Sequence, residues 1–111
     1  MTVTVKTIIP RKQAENIQTS QYTALDCKTI IDKFTATNTT AANVVFSVNL
    51  VASGGAAGAS NLVVNTRTIA PNETYTFPEL VGQTLEAGDF ISTLANTATA
   101  LTISASGREI T

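Results

Sequence analysis

The sequence contains no histidine and no tryptophan, and it has a single cysteine among its 111 residues. The absence of imidazole removes the commonest general base and the commonest metal ligand. One thiol cannot close a tetrahedral zinc site, and a lone cysteine cannot form a disulfide within the chain. We therefore predict a protein that is not an enzyme, needs no cofactor and folds by packing alone, in a reducing compartment.

Charged residues are also scarce, at 14% of the chain, and the formal net charge is −1. Such a chain has no broad positive field to attract nucleic acid. No segment has the about eighteen consecutive apolar residues that a transmembrane helix needs, and the start, MTVTVKTIIPRKQ, lacks the pattern of a signal peptide. We expect a soluble protein made in the cytoplasm, with no nucleic-acid and no membrane partner.

The chain does have a two-residue period of apolar side chains. In residues 43–50, valine, phenylalanine and leucine alternate with asparagine and serine, which predicts a strand with one buried face. The same pattern predicts strands at 3–9, 18–23, 28–37, 62–69, 73–77, 89–94 and 100–105. Turn sequences rich in Asn, Pro, Gly and Asp separate these segments at spacings typical of sandwiches and barrels.

These segments predict an all-β protein with one antiparallel β-sandwich, of jelly-roll or immunoglobulin-like connectivity. The sandwich domain is expected to span residues 19–111. Residues 1–18 are expected to form either an extended N-terminal arm or an outer strand of the same sheet.

Three local features test this interpretation. Asp32 shares the predicted inward face of its strand with Ile30 and Phe34, so we expect a bulge or an edge position to turn it outward. Gly88, in the turn EAGD, is expected to adopt a left-handed conformation. The run SGGAAGAS lacks the lysine and the following helix of a phosphate-binding loop, and it predicts a flexible hairpin tip instead.

Few side chains are candidates for chemistry. Cys27 has no neighbouring base and is expected to be a partly buried structural residue. Two tyrosines, Tyr22 and Tyr75, are the candidates for exposed aromatic contacts, since all four phenylalanines fall in strand-like alternation. Paired carboxylates or a calcium site are conceivable for a group of acidic residues, but a solvated acidic rim is favoured. The group comprises Glu73, Glu79, Glu86 and Asp89.

Three segments resemble a recurring pattern in small structural proteins of tailed bacteriophages: KTIIDKFTATNTTAANVVFSVNLVASGG, IAPNETYTFPELVGQTLEAGDFIS and ALTISASGREI. The pattern has a T-N-T turn, a Pro-x-Glu-Thr turn, a Leu-x-x-Gly-Asp-x-Ile hairpin and a last strand that ends near Ser-Gly-x-Glu-Ile. The matching residues are Thr37, Asn38 and Thr39; Pro71, Glu73 and Thr74; Leu85, Gly88, Asp89 and Ile91; and Ser106, Gly107, Glu109 and Ile110.

The resemblance implies a β-sandwich or jelly-roll subunit of a virion. Its most specific form is a capsid decoration or cement protein that stabilises the head by binding across neighbouring capsid subunits. Its partners would be the major capsid protein or other virion subunits, and it would form a homo-oligomer, with a trimer favoured. A neck or tail component, or a receptor- or glycan-binding module at a tail or fibre tip, is the alternative.

The N-terminal segment is the candidate docking element. Its apolar residues can add as a strand to a neighbour's open sheet edge, Pro10 stops further pairing, and its basic residues would meet acidic patches. Deletion of residues 1–12 is then expected to leave a folded domain that binds particles weakly. The alternative is an outer strand of the chain's own sheet. The candidate contact residues are Val3, Val5, Lys6, Ile8, Ile9, Arg11 and Lys12.

Overall fold

The computed structural model describes residues 1–111 and consists of nine strands and one three-residue 3₁₀ turn, Ala59–Asn61. All eight predicted strand segments are strands in the structure; only β7 was not predicted. With that turn as its only helix, the chain has none long enough to cross a membrane. The strands are β1 Val3–Gln13, β2 Thr19–Thr23, β3 Lys28–Asn38, β4 Val44–Val51, β5 Leu62–Ile69, β6 Thr74–Tyr75, β7 Thr84–Leu85, β8 Phe90–Ala95 and β9 Leu101–Ile110.

The strands form two sheets. The five-stranded sheet has the order β1-β9-β3-β6, with β7 paired to another part of β3, and the four-stranded sheet has the order β2-β8-β4-β5. All of these pairs are antiparallel and nested: β4 with β5, β3 with β6 and β7, β2 with β8, and β1 with β9. This is the connectivity of a jelly roll. The predicted all-β sandwich is confirmed.

Three phenylalanines form the centre of the core between the two sheets. Phe34 of β3, Phe46 of β4 and Phe77 of the loop after β6 are fully buried. The ring centroids of Phe34 and Phe77 are 5.0 Å apart, and those of Phe46 and Phe77 are 5.8 Å apart, both in edge-to-face geometry. Edge-to-face contacts suit the quadrupoles of the rings, so these pairs add to the stability gained from burying their area.

A bulge in β3 resolves the conflict at Asp32. The register between β3 and β9 shifts between Ile31 and Lys33, so the alternation of side chains changes at this point. Asp32 is exposed and forms an ion pair with Arg108, with 2.8 Å between the carboxylate and the guanidinium. The predicted bulge is therefore confirmed. The assignment of Ile30 to the buried face is wrong, because the shift places Ile31 in the core instead.

The outer face of the four-stranded sheet is less open than the sequence pattern implies. The alternation in residues 43–50 predicts a solvated face for Ser47 and Asn49, yet both are buried. The Gly-rich loop between β4 and β5 packs back on Asn49, whose amide donates hydrogen bonds to the carbonyl of Gly58 and to Oδ1 of Asn61, at 3.1 and 2.7 Å. Ser47 instead accepts a hydrogen bond from the backbone N–H of Thr66 in β5, at 2.9 Å. The loop is the tip of a hairpin, as predicted, and the bonds from Asn49 anchor it to β4.

The N-terminal segment is an outer strand of the sandwich, since residues 3–13 pair with β9 along their length. The extended arm, the other predicted alternative, is not seen. Ile8 and Ile9 are 4% and 0% exposed and belong to the hydrophobic core. Deletion of residues 1–12 would therefore remove core side chains, and on this ground we expect it to unfold the domain instead of leaving it folded.

Candidate docking surface

The strand β1 forms one edge of the five-stranded sheet, and no strand pairs with its outer side. Its first five residues, 3–7, are exposed on both faces, because the four-stranded sheet does not cover this part of the strand. Val3 and Val5 are 49% and 82% exposed. An edge strand with exposed apolar side chains is a template for pairing with another chain.

The hydrogen bonds between β1 and β9 determine which backbone groups face outward. Thr2 and Thr111 exchange both of their N–H···O bonds, at 3.0 Å each. Because hydrogen-bonded and non-hydrogen-bonded pairs alternate in an antiparallel ladder, Val3, Val5 and Thr7 direct their N–H and C=O groups away from β9. The register is unbroken from Val3 to Thr7. This edge therefore presents regularly spaced donors and acceptors.

The three basic candidate residues differ in whether they form an ion pair within the chain. Lys6 forms an ion pair with Glu109 at 3.3 Å, and Lys12 forms one with Glu15 at 2.7 Å. Arg11 is exposed and takes part in no ion pair within the chain. Of the three predicted cations, Arg11 is thus the one whose charge is free to meet an acidic partner.

The seven candidate residues therefore separate into two groups. The surface group lies along the exposed part of β1, and the buried group, Ile8 and Ile9, fixes the strand to the core. The strand has a bulge on each side of Ile9, and the one between Thr7 and Ile9 lets two consecutive isoleucines reach the interior. Sequence alternation alone did not predict these bulges. The surface group comprises Val3, Val5, Lys6, Arg11 and Lys12.

A polar network at the end of the sandwich positions this edge. The Tyr22 hydroxyl donates a hydrogen bond to Glu109 at 2.5 Å and lies 2.7 Å from Oγ1 of the fully buried Thr29. Burial, and next the bond to Glu109, raise the pKa of Tyr22. The bond from Tyr22, opposed by burial and assisted by Lys6, lowers the pKa of Glu109. The network holds the ends of β9 and β1 against β2.

Sequence reasoning missed the role of Glu109, although a signal for it exists. Glu109 continues the inward face of β9 that begins with Leu101 and Ile103, and an acid in such a position requires a partner. Asp32 is likewise an acid within an apolar strand face, but a bulge turns it out to solvent. Glu109 keeps its inward position, and Tyr22 and Lys6 satisfy its carboxylate.

The remaining chemical candidates each have a local structural partner. The Tyr75 hydroxyl donates to Glu79 at 2.8 Å, and the Arg67 guanidinium lies 4.0 Å from the centre of the Tyr75 ring. Cys27 is buried next to the start of β3. Asp89 accepts backbone hydrogen bonds in its turn and Glu73 does the same in another. No group of three or more acidic or cysteine side chains comes together as a metal site would require.

Comparison of this chain with protein-family models, with curated proteins and with solved structures finds no match. The resemblance to phage structural proteins therefore depends on the quoted motifs alone. Two features of the structure bear on function: the jelly-roll sandwich and the open edge along β1.

Proposed function

We propose that this chain is a non-enzymatic structural subunit of a tailed-phage virion, made soluble in the host cytoplasm. In this role it is a decoration or cement protein that stabilises the head by binding across neighbouring subunits of the major capsid protein. The observation that carries the proposal is the exposed surface of β1, which combines an open strand edge with the unpaired charge of Arg11.

The fold is suited to such a role. Jelly-roll sandwiches occur among viral capsid domains, although the fold alone does not determine a function. A subunit present in many copies gains avidity from several weak contacts made at once, so no single deep pocket is required. The surface of this chain, with hydrogen-bonded acids and no metal cluster, fits contact by shape and by strand edge.

The proposed contact with the capsid uses the basic end of β1. Arg11 is exposed there, and Lys12 lies beside it with 38% of its side chain accessible. An acidic patch on the capsid subunit would complement the charge of Arg11, since that of Lys12 is already paired with Glu15, and would raise the rate of association. Ile8 and Ile9 take no part in this contact, because they are buried in the core of the chain itself.

A glycan-binding module at a fibre tip receives less support. That alternative needs an exposed aromatic face for a sugar to stack on. Tyr22 is hydrogen-bonded between the sheets, and Arg67 lies over the ring of Tyr75.

A neck or tail position remains the alternative within the structural class, and the number of copies per particle separates it from a head position. Hundreds of copies indicate the shell, whereas about six to twelve indicate a ring of the neck or tail.

Cosedimentation with undecorated capsids tests the proposal. We expect the wild-type chain to pellet with capsids at a fixed stoichiometry and Arg11→Glu to bind less, with a smaller dependence on salt. Lys33→Glu is the matched control, because Lys33 is also exposed and the charge change is identical but the residue lies on β3, away from the open edge of β1. Wild-type protein that stays in the supernatant, or equal binding by both variants, would overturn the proposal.

A further inference from the structure

We propose that the outer edge of β1 pairs with the same edge of a second copy of this chain, antiparallel and about a two-fold axis at Val5. The inference concerns self-association and does not depend on the proposed function. Three observations carry it: the backbone groups that face outward, the symmetry of their spacing, and the charges beside them.

The outward backbone groups are symmetric about Val5. Val3, Val5 and Thr7 are the residues whose N–H and C=O groups point away from β9, as the mutual bonds of Thr2 and Thr111 require. In an antiparallel two-fold pairing, Val5 then lies opposite Val5 of the second copy, and Val3 lies opposite Thr7. All three facing pairs are of the hydrogen-bonded type, so every outward group in this segment finds a partner.

Other registers fit less well. A shift toward the C-terminal half of β1 meets the bulge after Thr7 and then Pro10, which has no N–H to donate. A shift of one residue places outward groups opposite groups that are already bonded to β9. The pairing centred on Val5 is therefore the register that this edge specifies.

The side chains of residues 3–7 are compatible with the register centred on Val5. Val5 is 82% exposed, and pairing places it next to its own copy, which forms an apolar cross-strand contact. Lys6 lies opposite Thr4 of the second copy and not opposite another lysine. Its charge is already paired with Glu109 at 3.3 Å. No like charges are opposed across the pairing.

The other sheet edges are less suitable. The outer side of β3 is occupied at its two ends by β6 and β7. The edge strand β5 contains Thr66 at a positive φ of 49°, and its register with β4 shifts twice. The edge strand β2 has five residues and a register shift of its own. Only β1 offers a straight unpaired segment. A two-fold dimer formed through it would replace the trimer that the sequence analysis favours.

Sedimentation velocity with charge variants at Val5 tests the pairing. We expect the wild type to associate to a dimer, and both Val5→Lys and Val5→Glu to associate on the order of tenfold more weakly, because each places like charges in direct opposition. An equimolar mixture of the two variants should form a heterodimer again, since the charges opposite each other are then complementary. Val81→Lys is the control, because Val81 is 51% exposed but lies in the loop before β7, at the other edge of the sheet.

Three outcomes would overturn the inference. These are a wild type that stays monomeric up to about 1 mM, a trimer in place of a dimer, and a mixture of the two charge variants that associates no better than each variant alone. Circular dichroism melts of all variants show whether each is folded. Capsid binding by Arg11→Glu is a separate readout, so failure of self-association and failure of the proposed function are distinguishable.

Discussion

The hydroxyl of Tyr22 in the four-stranded sheet donates a 2.5 Å hydrogen bond to the carboxylate of Glu109 in the five-stranded sheet. Lys6 of the edge strand contacts the same carboxylate at 3.3 Å. One acid at the end of β9 therefore connects both sheets and the edge strand. These contacts lie at the end of the sandwich where β1 is least covered. Loss of one of them is therefore expected to destabilise that edge.

Tyr22→Phe is expected to lower the free energy of unfolding by about 1–2 kcal/mol, because the ring remains packed while Glu109 loses its donor. Urea denaturation followed by circular dichroism measures the change. Tyr75→Phe is the matched control: its hydroxyl also donates to a carboxylate, that of Glu79, but at the exposed surface. Its loss should stay within about 0.5 kcal/mol. Equal losses in the two variants would contradict the assigned role.

The same contact predicts how stability depends on pH. The pKa of Tyr22 is raised above its ordinary value of 10.0, first by burial and then by Glu109. The folded chain thus keeps a proton that the unfolded chain releases, so this stabilisation is complete below pH 10 and is lost as the pH rises beyond it. The lowered pKa of Glu109 acts on the acid side, and its contribution is lost as the pH falls below its ordinary value of 4.5.

Urea midpoints measured across the alkaline range check this expectation. The wild type should lose stability above pH 10 more steeply than Tyr22→Phe, which lacks the titrating hydroxyl. Tyr75 titrates in both proteins, so the difference between the two curves isolates Tyr22. Parallel curves would show that the Tyr22 proton is not retained on folding.

Phe34→Ala is expected to destabilise the fold by about 3–5 kcal/mol, because it leaves a cavity between Phe46 and Phe77 at the centre of the core. Phe90→Ala is the control, since Phe90 is only half-buried in β8. Its cost should be clearly smaller. Thermal unfolding of the two variants gives the comparison, and similar melting temperatures would show that the aromatic centre is not the main core.

Gly88→Val is expected to cost about 1–3 kcal/mol more than Gly58→Val. Gly88 has a φ of +91°, as its place in the turn EAGD predicted, and a Cβ there would lie 2.5 Å from Oγ of Ser53. At Gly58 the backbone is extended and a Cβ would meet nothing within 4 Å. Chemical denaturation of both variants makes the comparison. A larger loss at Gly58 would refute it.

Removal of residues 1–7 is expected to leave a folded domain, whereas removal of residues 1–12 is not. The longer deletion takes away Ile8 and Ile9, and a buried isoleucine replaced by a small residue already costs about 2–5 kcal/mol against a typical total stability of about 5–15 kcal/mol. Circular dichroism melts distinguish the two truncations. A cooperative transition near that of the full chain after the longer deletion would show that the core does not need this strand.

The positions of most strands could be predicted from the sequence, because the two-residue period is a property of neighbouring residues. The prediction of 62–69 matches β5 at both ends, and the predicted bulge at Asp32 follows from one acid in an apolar face. The strand β7 was missed, since its two residues, Thr84–Leu85, are too few to show a period. These two residues form a strand only because they pair with Thr29 and Ile30 of β3.

The candidate site was accessible only in part. Sequence reasoning selected the N-terminal segment and its exposed residues, but it assigned Ile8 and Ile9 to the same surface. The bulge between Thr7 and Ile9, which lets both isoleucines point inward, arises from pairing with β9, about ninety residues further along the chain. Alternation within one segment carries no information on such a distant partner.

By itself, the sequence determined that this protein is an all-β sandwich, where most of its strands lie and which reactive groups it lacks, because composition and period are properties of neighbouring residues. Only the tertiary structure decided that residues 3–13 are an edge strand, that Asn49 is covered by a loop, and that Glu109 bonds to Tyr22. Those outcomes depend on which distant segment packs against each strand. Alternation within one segment shows which side chains share a face, but it does not show what packs on that face.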